Sequence, residues 1–438
     1  MSYAGRQVLV LGLGRSGHAA VALLLQRAAR VSAYDRDPAA FEGLPAEVVR
    51  IEGDELPALD PYDTAIVSPG LAVAAGPNVV PEIDLAAEFL EAPLVGVTGT
   101  NGKSTTCVMI AEMLRASGLE ATAGGNLGTP LCALVDRPAR WLVAELSSFQ
   151  LEHARRLRAR VAVLLNLAPD HLDRHGTLAA YGDAKARLAE LQQPEDTLVA
   201  NLDDAWATHV AAAAPAALFG FSEQRELTSG AHLSGSDLVV ARDGRVIVRV
   251  DRASLSPAAR TPVANALAAA AAALACGATA EGIGAVLASF SGLPHRSTEV
   301  CVRGGVRYVD DSKATNPAAA AASLAGQAEP TVWLCGGRNK GLDFVPLAPL
   351  AERARAVIAY GESARALGSA LEGAAEVVLR CKLEDAVAEA AARARPGDVV
   401  LLAPACASHD QFRSFEERGE RFAELARALP GDPGEDAC

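Results

Sequence analysis

Pro93-Leu94-Val95-Gly96-Val97-Thr98-Gly99-Thr100-Asn101-Gly102-Lys103-Ser104-Thr105 is the stretch that decides the fold. Its apolar run reads as a strand, and the glycine loop that follows at once opens toward a helix. Backbone amides of such a loop cradle phosphates, the Lys103 ammonium reaches β and γ oxygens, and the Ser104 hydroxyl can hold Mg²⁺. Gly99, Thr100, Asn101, Gly102, Lys103, Ser104 and Thr105 are thus the expected ATP-binding residues. Strict phosphate-loop spacing would put glycine where Val97 stands. A chance surface loop is the competing reading, and the strand–loop–helix context argues against it.

Upstream lies a second nucleotide-type turn, Leu11-Gly12-Leu13-Gly14-Arg15-Ser16-Gly17, with Asp35 closing the next strand. Glycines at this spacing permit a tight turn and close backbone approach to a diphosphate at a helix N-terminus. Alone it suggests an NAD-dependent dehydrogenase, or merely a tight strand-to-helix turn. A chain that binds ATP further on needs no NAD here, so another diphosphate, of the UDP-sugar kind, fits this loop.

Around these two loops the 438 residues divide into three α/β segments, expected at 1–90, 91–292 and 293–438. The first alternates strands (Gln7–Leu11, Arg30–Tyr34, Thr64–Val67) with a helix over Gly17–Arg27 and reads as Rossmann-like. The second is a phosphate-loop ATPase type, with strands at Trp141–Ala144, Val161–Asn166 and Thr197–Ala200. An antiparallel hairpin, Leu238–Ala241 with Arg245–Val250, is expected as an appendage to it. The third, with strands at Thr331–Cys335, Ala356–Tyr360 and Val399–Ala403, is again a Rossmann-like α/β segment. The tail from Pro430 to Cys438 is expected to fray.

Composition narrows the function. Net charge is −13, which excludes a broad nucleic-acid-binding face and requires that cations for anionic substrates be placed locally. Eight scattered cysteines form no CxxC pair, so reduced thiols in a cytoplasm are expected. Pro262 to Ala280 carries no charge, but it is mostly alanine and includes Asn265 and Gly277. Alanine gives little transfer energy, so this is a buried, closely packed helix rather than a membrane insertion.

Polar groups gather after the apolar strands. Glu145 ends one, where α/β sheets bind ligands, and a carboxylate beside a phosphate loop suits Mg²⁺. Asn166-Leu-Ala-Pro-Asp170-His171 and Tyr181-Gly-Asp-Ala-Lys185 follow; His171 alone reads equally as ligand or structural partner. The third segment supplies His295-Arg296, Asp310-Asp311-Ser312-Lys313-Ala314-Thr315-Asn316, Arg338-Asn339-Lys340 and Ser408-His-Asp-Gln-Phe412. Such turns can bind a small dicarboxylate through charge-assisted hydrogen bonds.

Together these motifs resemble the Mur ligase family over essentially the whole chain. Thr98–Ser104, Glu145 and His171 are similar to a core shared with folylpolyglutamate synthetase. Asp311–Asn316, Lys340-Gly341 and Pro404–Ser408 resemble the D-glutamate-adding branch in particular. The resemblance implies three domains, for UDP-substrate, ATP and amino acid in turn. It also implies a cytoplasmic enzyme that uses ATP to join D-glutamate to UDP-N-acetylmuramoyl-L-alanine through an acyl phosphate. A monomer is expected, with small-molecule partners only.

By the same resemblance Ser104 and Glu145 serve one Mg²⁺, and His171 with a carbamylated Lys185 serves a second. Lys103, Glu145, His171 and Lys185 become the catalytic set. Arg15, Ser16, Arg36, Ser68 and Gly70 belong near the uridine diphosphate, and Asn126, Ser147, Gln150 and His171 near the muramoyl-alanine. Asn265, Arg296 and Asp311 hold the nucleotide, while Lys313, Thr315, Lys340, Ser408 and the Phe415 backbone hold D-glutamate. Two departures stand out. Thr261-Pro262 occupies the place of a usual His-Asn pair, and Asp37 that of a basic residue near uracil. A folylpolyglutamate synthetase-like ligase is the nearest alternative.

Overall fold

A computed structural model describes residues 3–71, 73 and 76–430. Most of the expected fraying tail, 431–438, lies outside the described residues. The chain divides into two compact units: Met1–Leu167 with Ala179–Ser256 and Val263–Phe290, and Ala168–Leu178 with Pro257–Pro262 and Ser291–Cys438.

Within the first unit, one sheet has the spatial order Val49–Glu52, Arg30–Asp35, Gln7–Leu11, Thr64–Val67, Val79–Pro81, all parallel. Val8 to Leu11 are fully buried, the near-continuous apolar run that a parallel strand covered on both faces needs. The order reverses between Gln7–Leu11 and Thr64–Val67, and the Gly12 turn opens at that switch point, where such sheets bind ligands. The following helix runs Arg15–Gln26, two residues earlier than its apolar pattern predicts.

A second parallel sheet runs Ala217–Leu218, Thr197–Ala200, Val161–Leu164, Leu94–Thr98, Trp141–Glu145, Ala121–Gly125. Its central strand, Leu94–Thr98, feeds the helix Lys103–Ala116. Val97 pairs with Glu145, so the neighbouring strand delivers its carboxylate beside the phosphate loop.

The alanine-rich segment forms a helix at Val263–Ala275, with Asn265 to Ala273 buried, packed on Lys103–Ala116. Small side chains allow that close approach. Among the described residues no helix is long and apolar enough to cross a membrane. The hairpin is more than an appendage. Asp237–Arg242 and Arg245–Asp251 pair antiparallel and join Gly230–Ser234 and Gly220–Ser222 in a four-stranded sheet. That sheet packs against Val263–Ala275, because the apolar Leu238, Val240 and Val248, which strand alternation and pairing put on one face, need cover.

In the second unit the sheet order is Thr298–Arg303, Val306–Asp310, Val399–Leu402, Thr331–Gly336, Ala354–Tyr360, Val377–Arg380. Only the first pair is antiparallel. Trp333 is fully buried and its indole N–H donates to the Ala403 carbonyl at 2.7 Å, giving the one polar atom of a large core side chain its partner. Three adjacent central strands thus release the loops at 311–316, 337–343 and 403–408 from the same end.

Candidate functional site

The phosphate loop is held open by backbone geometry and by one asparagine. Gly99 and Gly102 have φ of 151° and 86°, values that favour glycine. A Cβ on Gly102 would also collide with the Asn265 side-chain oxygen, which brings that predicted nucleotide residue against the loop. Asn166 clamps the loop from the next strand. Its Oδ1 accepts from Asn101 N at 2.9 Å, its Nδ2 donates to Asn101 O at 3.2 Å, and its carbonyl accepts from Thr100 N at 2.9 Å. Asn166 received no role from the sequence; its place at the end of the strand beside Leu94–Thr98 was the available signal.

Lys103 Nζ donates to the Gly99 and Thr100 carbonyls at 2.9 and 2.8 Å, so its charge sits over the loop's own concavity. Ser104 Oγ donates to Glu145 Oε2, and Asn126 Nδ2 donates to Glu145 Oε1 at 2.6 Å. Glu145 is buried. A hydroxyl and a carboxylate in contact at a phosphate loop are hard oxygen donors, and Mg²⁺ is held by few protein oxygens plus those of phosphate and water. The donor set fits that ion.

Lys185, on the helix Leu178–Glu190, is only 1% exposed. Its Nζ donates to the Gly99 carbonyl at 2.8 Å and lies 4.3 Å from the Tyr181 ring centroid. A helix-surface lysine is thereby excluded. Desolvated ammonium on an aromatic face gains about 2 kcal/mol, so the one-turn Tyr181–Lys185 spacing has a use in the fold.

At the first sheet's switch point a cavity of about 360 Å³ is lined by Arg15, Ser16, Ser68 and Gly70, with Asn126 and Gln150 from the second sheet's loops. Six of the predicted UDP-substrate residues therefore line one cavity. Ser68 Oγ donates to the Gly12 carbonyl at 2.7 Å, and Arg15 Nη1 to the Gly128 carbonyl at 3.3 Å. Arg36 is exposed and Ser147 caps a short helix through a box with Gln150; neither lines the cavity. Asp35 Oδ2 accepts from Leu13 N at 2.7 Å, which ties the carboxylate to the loop. Asp37 caps the turn Pro38–Phe41 by accepting from Ala39 N, so that departure has a local structural task.

In the second unit, Asp170 links several predicted residues. Its Oδ1 accepts from Lys340 Nζ at 2.7 Å and from His171 N at 2.9 Å, and its Oδ2 from Asn316 Nδ2 at 3.1 Å. Burial alone would push this carboxyl up, but Lys340, His171 and Asn316 together hold it below its ordinary value. His171 stands at φ 52° at the head of Leu172–His175. Asp170 is a second residue to which sequence reading gave no role.

Lys313 Nζ lies 3.7 Å from the Phe415 ring centroid, and the Phe415 carbonyl accepts from Ser312 Oγ at 2.8 Å. Ser408 is buried in the loop after Val399–Leu402, while Thr315 lies half-buried in the loop with Lys313. The Asp311 carboxyl is pushed up to about 6 by burial, against the pull of the nearby Ser323 hydroxyl and of Arg296, and with Asp310 adding to the rise. Arg296 and Asp311, predicted for the nucleotide, are thus electrostatic neighbours.

The Mur ligase middle domain profile matches residues 97–273, and that of the Mur ligase, glutamate ligase domain matches 295–406. A UDP-N-acetylmuramoylalanine–D-glutamate ligase of Pelotomaculum thermopropionicum is 40% identical over 447 residues, 97% of this chain and 98% of that one. The enzyme of the same name from Frankia casuarinae is 43% identical, covering 98% of this chain and 96% of its own. Among solved structures, a pseudomurein peptide ligase type C from Methanothermus fervidus superposes with a TM-score of 0.65 at 19% identity. It covers 97% of this chain and 99% of that one, which shows a shared fold. Neither a dehydrogenase nor a folylpolyglutamate synthetase-like reading is favoured by these full-length relatives. With both domain profiles and the identity over its whole length, this three-domain α/β chain belongs to the Mur ligase family, in the branch of its D-glutamate ligase relatives.

Proposed function

We propose that this chain is an ATP-dependent ligase that adds D-glutamate to UDP-N-acetylmuramoyl-L-alanine, a step in making peptidoglycan precursor. The observation that carries the reading is the Ser104–Glu145 contact at the mouth of a phosphate loop, in a chain 40% identical end to end to ligases of that name. The substrate's alanyl carboxylate is a poor electrophile. Its oxygen attacks the γ-phosphorus of ATP, ADP leaves, and an acyl phosphate results. The neutral amine of D-glutamate then attacks the acyl carbon, and inorganic phosphate departs from the tetrahedral intermediate. This chemistry needs positioning and charge neutralisation more than a protein nucleophile.

Lys103 neutralises the transferring phosphoryl group, turning from its loop carbonyls toward phosphate. Ser104 and Glu145 hold Mg²⁺, which supplies positive charge to the nucleotide's oxygens. Asn265, Arg296 and Asp311 keep nucleotide roles. The cavity lined by Arg15, Ser16, Ser68, Gly70, Asn126 and Gln150 takes the UDP-substrate. Lys313, Thr315, Lys340, Ser408 and the Phe415 backbone take D-glutamate. Lys185 and His171 keep the metal-ligand roles that the resemblance implies, Lys185 as a carbamate formed from its neutral amine and CO₂. An unmodified ammonium beside bound Mg²⁺ would be repelled, whereas a carbamate brings oxygen ligands. Domain boundaries at 1–90, 91–292 and 293–438 enclose the two matched regions. A nucleotide-fuelled reaction on a UDP-linked substrate belongs in the cytoplasm.

The test is phosphate release from ATP with D-glutamate, comparing UDP-N-acetylmuramoyl-L-alanine with dihydrofolate as acceptor. Turnover with the muramoyl substrate alone is expected, and turnover with dihydrofolate alone overturns the reading.

A further inference from the structure

Arg418 lies on the helix Phe415–Ala428 and is fully buried. Among the described residues its guanidinium meets no carboxylate, and its four hydrogen bonds all end on neutral oxygens. Nε donates to Ser312 Oγ at 2.9 Å and Nη2 to Ser312 O at 2.8 Å. Nη1 donates to Cys406 O at 3.1 Å and, more weakly, to Gly336 O at 3.5 Å. Burying a charge without an opposite charge is costly, and a cage of carbonyls only partly offsets the lost water.

The positions of those oxygens are informative. Ser312 opens the loop that carries Lys313 and Thr315, Gly336 opens the loop that carries Lys340, and Cys406 sits two residues before Ser408. One side chain therefore ties together the roots of all three loops to which D-glutamate contacts are assigned. It also continues to the remaining contact, the Phe415 backbone. Ser312 Oγ accepts from Arg418 and donates to the Phe415 carbonyl at 2.8 Å, so the Phe415 oxygen is engaged and its N–H is the backbone group left to face an anion. Gly337 supports the arrangement, since a Cβ there would stand 3.1 Å from Arg418 Nη1.

We propose that Arg418 is a positioning residue for the amino-acid site. It sets the loop roots and the Ser312–Phe415 relay, and its buried positive charge makes the site receptive to a dicarboxylate. The proposal rests on the D-glutamate reading above. Planar forked donors are essential to it, because an ammonium cannot span Ser312 and Cys406 at once.

The experiment compares wild-type enzyme with Arg418→Lys and Ser312→Ala. Steady-state KM is measured separately for D-glutamate, ATP and UDP-N-acetylmuramoyl-L-alanine, and thermal melting checks the fold. Folded variants should show KM for D-glutamate raised by about tenfold or more, with the other two KM values within about twofold of wild type. Ser312→Ala removes one hydroxyl and so tests the relay even where Arg418→Lys does not fold. An unchanged D-glutamate KM in folded Ser312→Ala, or an equal rise in all three constants, overturns the proposal. A wild-type enzyme that turns over with another amino acid but not with D-glutamate overturns the underlying reading instead, and this inference with it.

Discussion

Lys340 Nζ and Asp170 Oδ1 stand 2.7 Å apart in a nearly closed environment, with 16% and 7% of their side chains exposed. The ammonium assigned to a substrate carboxylate is thus paired with a carboxylate of the chain. Lys340→Ala should act twice. It should raise KM for D-glutamate by roughly ten- to a hundredfold, the equivalent of about 1.5–3 kcal/mol for a lost charge-assisted contact. It should also leave Asp170 buried without its ammonium and cost about 1–3 kcal/mol of stability. Urea unfolding reads the second effect, and adding Asp170→Asn should recover part of it. A variant whose only change is in KM for ATP refutes the assignment.

Lys103→Ala should abolish ATP turnover while the protein still unfolds cooperatively. The ammonium donates to the Gly99 and Thr100 carbonyls of its own loop, so the sheet and helix that carry the loop do not depend on those two bonds. Phosphate release at the wild-type rate from a folded variant would remove Lys103 from the mechanism.

Lys185→Ala should be nearly inactive, and formate or acetate should restore part of the rate by supplying the missing carboxylate oxygens. Mass spectrometry under native conditions should find one CO₂ adduct on wild type and none on the variant. An active alanine variant contradicts the carbamate role.

Gly17→Ala should weaken binding of the UDP-substrate. The new Cβ would press on the Gly12 carbonyl and stand 3.1 Å from Ser68 Oγ, both at the cavity wall. Overpacking of this kind costs about 1–3 kcal/mol, enough to shift the thermal midpoint measurably. Titration with UDP-N-acetylmuramoyl-L-alanine should show the loss, with the ATP constant unchanged.

Asp311 predicts a pH effect. Its folded carboxyl titrates at about 6, above the ordinary 3.8, so folding favours the protonated form. Its contribution to stability is present below the lower value and is lost as pH rises through the upper one. Relative to Asp311→Asn, wild type should lose stability between about pH 4 and 6 and stay parallel above. Urea midpoints across that range check it, and identical pH profiles for the two proteins refute it.

Much of this protein was determined by local sequence. The alternation of apolar runs with glycine loops specified three parallel-sheet regions, because a strand buried on both faces must read as Val8–Leu11 or Leu94–Val97 do. Phosphate-loop chemistry was legible because backbone amides, an ammonium and a hydroxyl must lie within a few residues of one another. Tertiary structure alone decided the rest. Asn166 clamps Asn101 from another strand, Asp170 meets Lys340 across 170 positions, and Arg418 reaches Ser312 across 106. Such partners share no spacing rule, since only the sheet order brings their loops together. The extra strands beside the hairpin were hidden for a similar reason: Gly220–Ser222 and Gly230–Ser234 are too short to show a period, and the helix Val263–Ala275 supplies the face they cover.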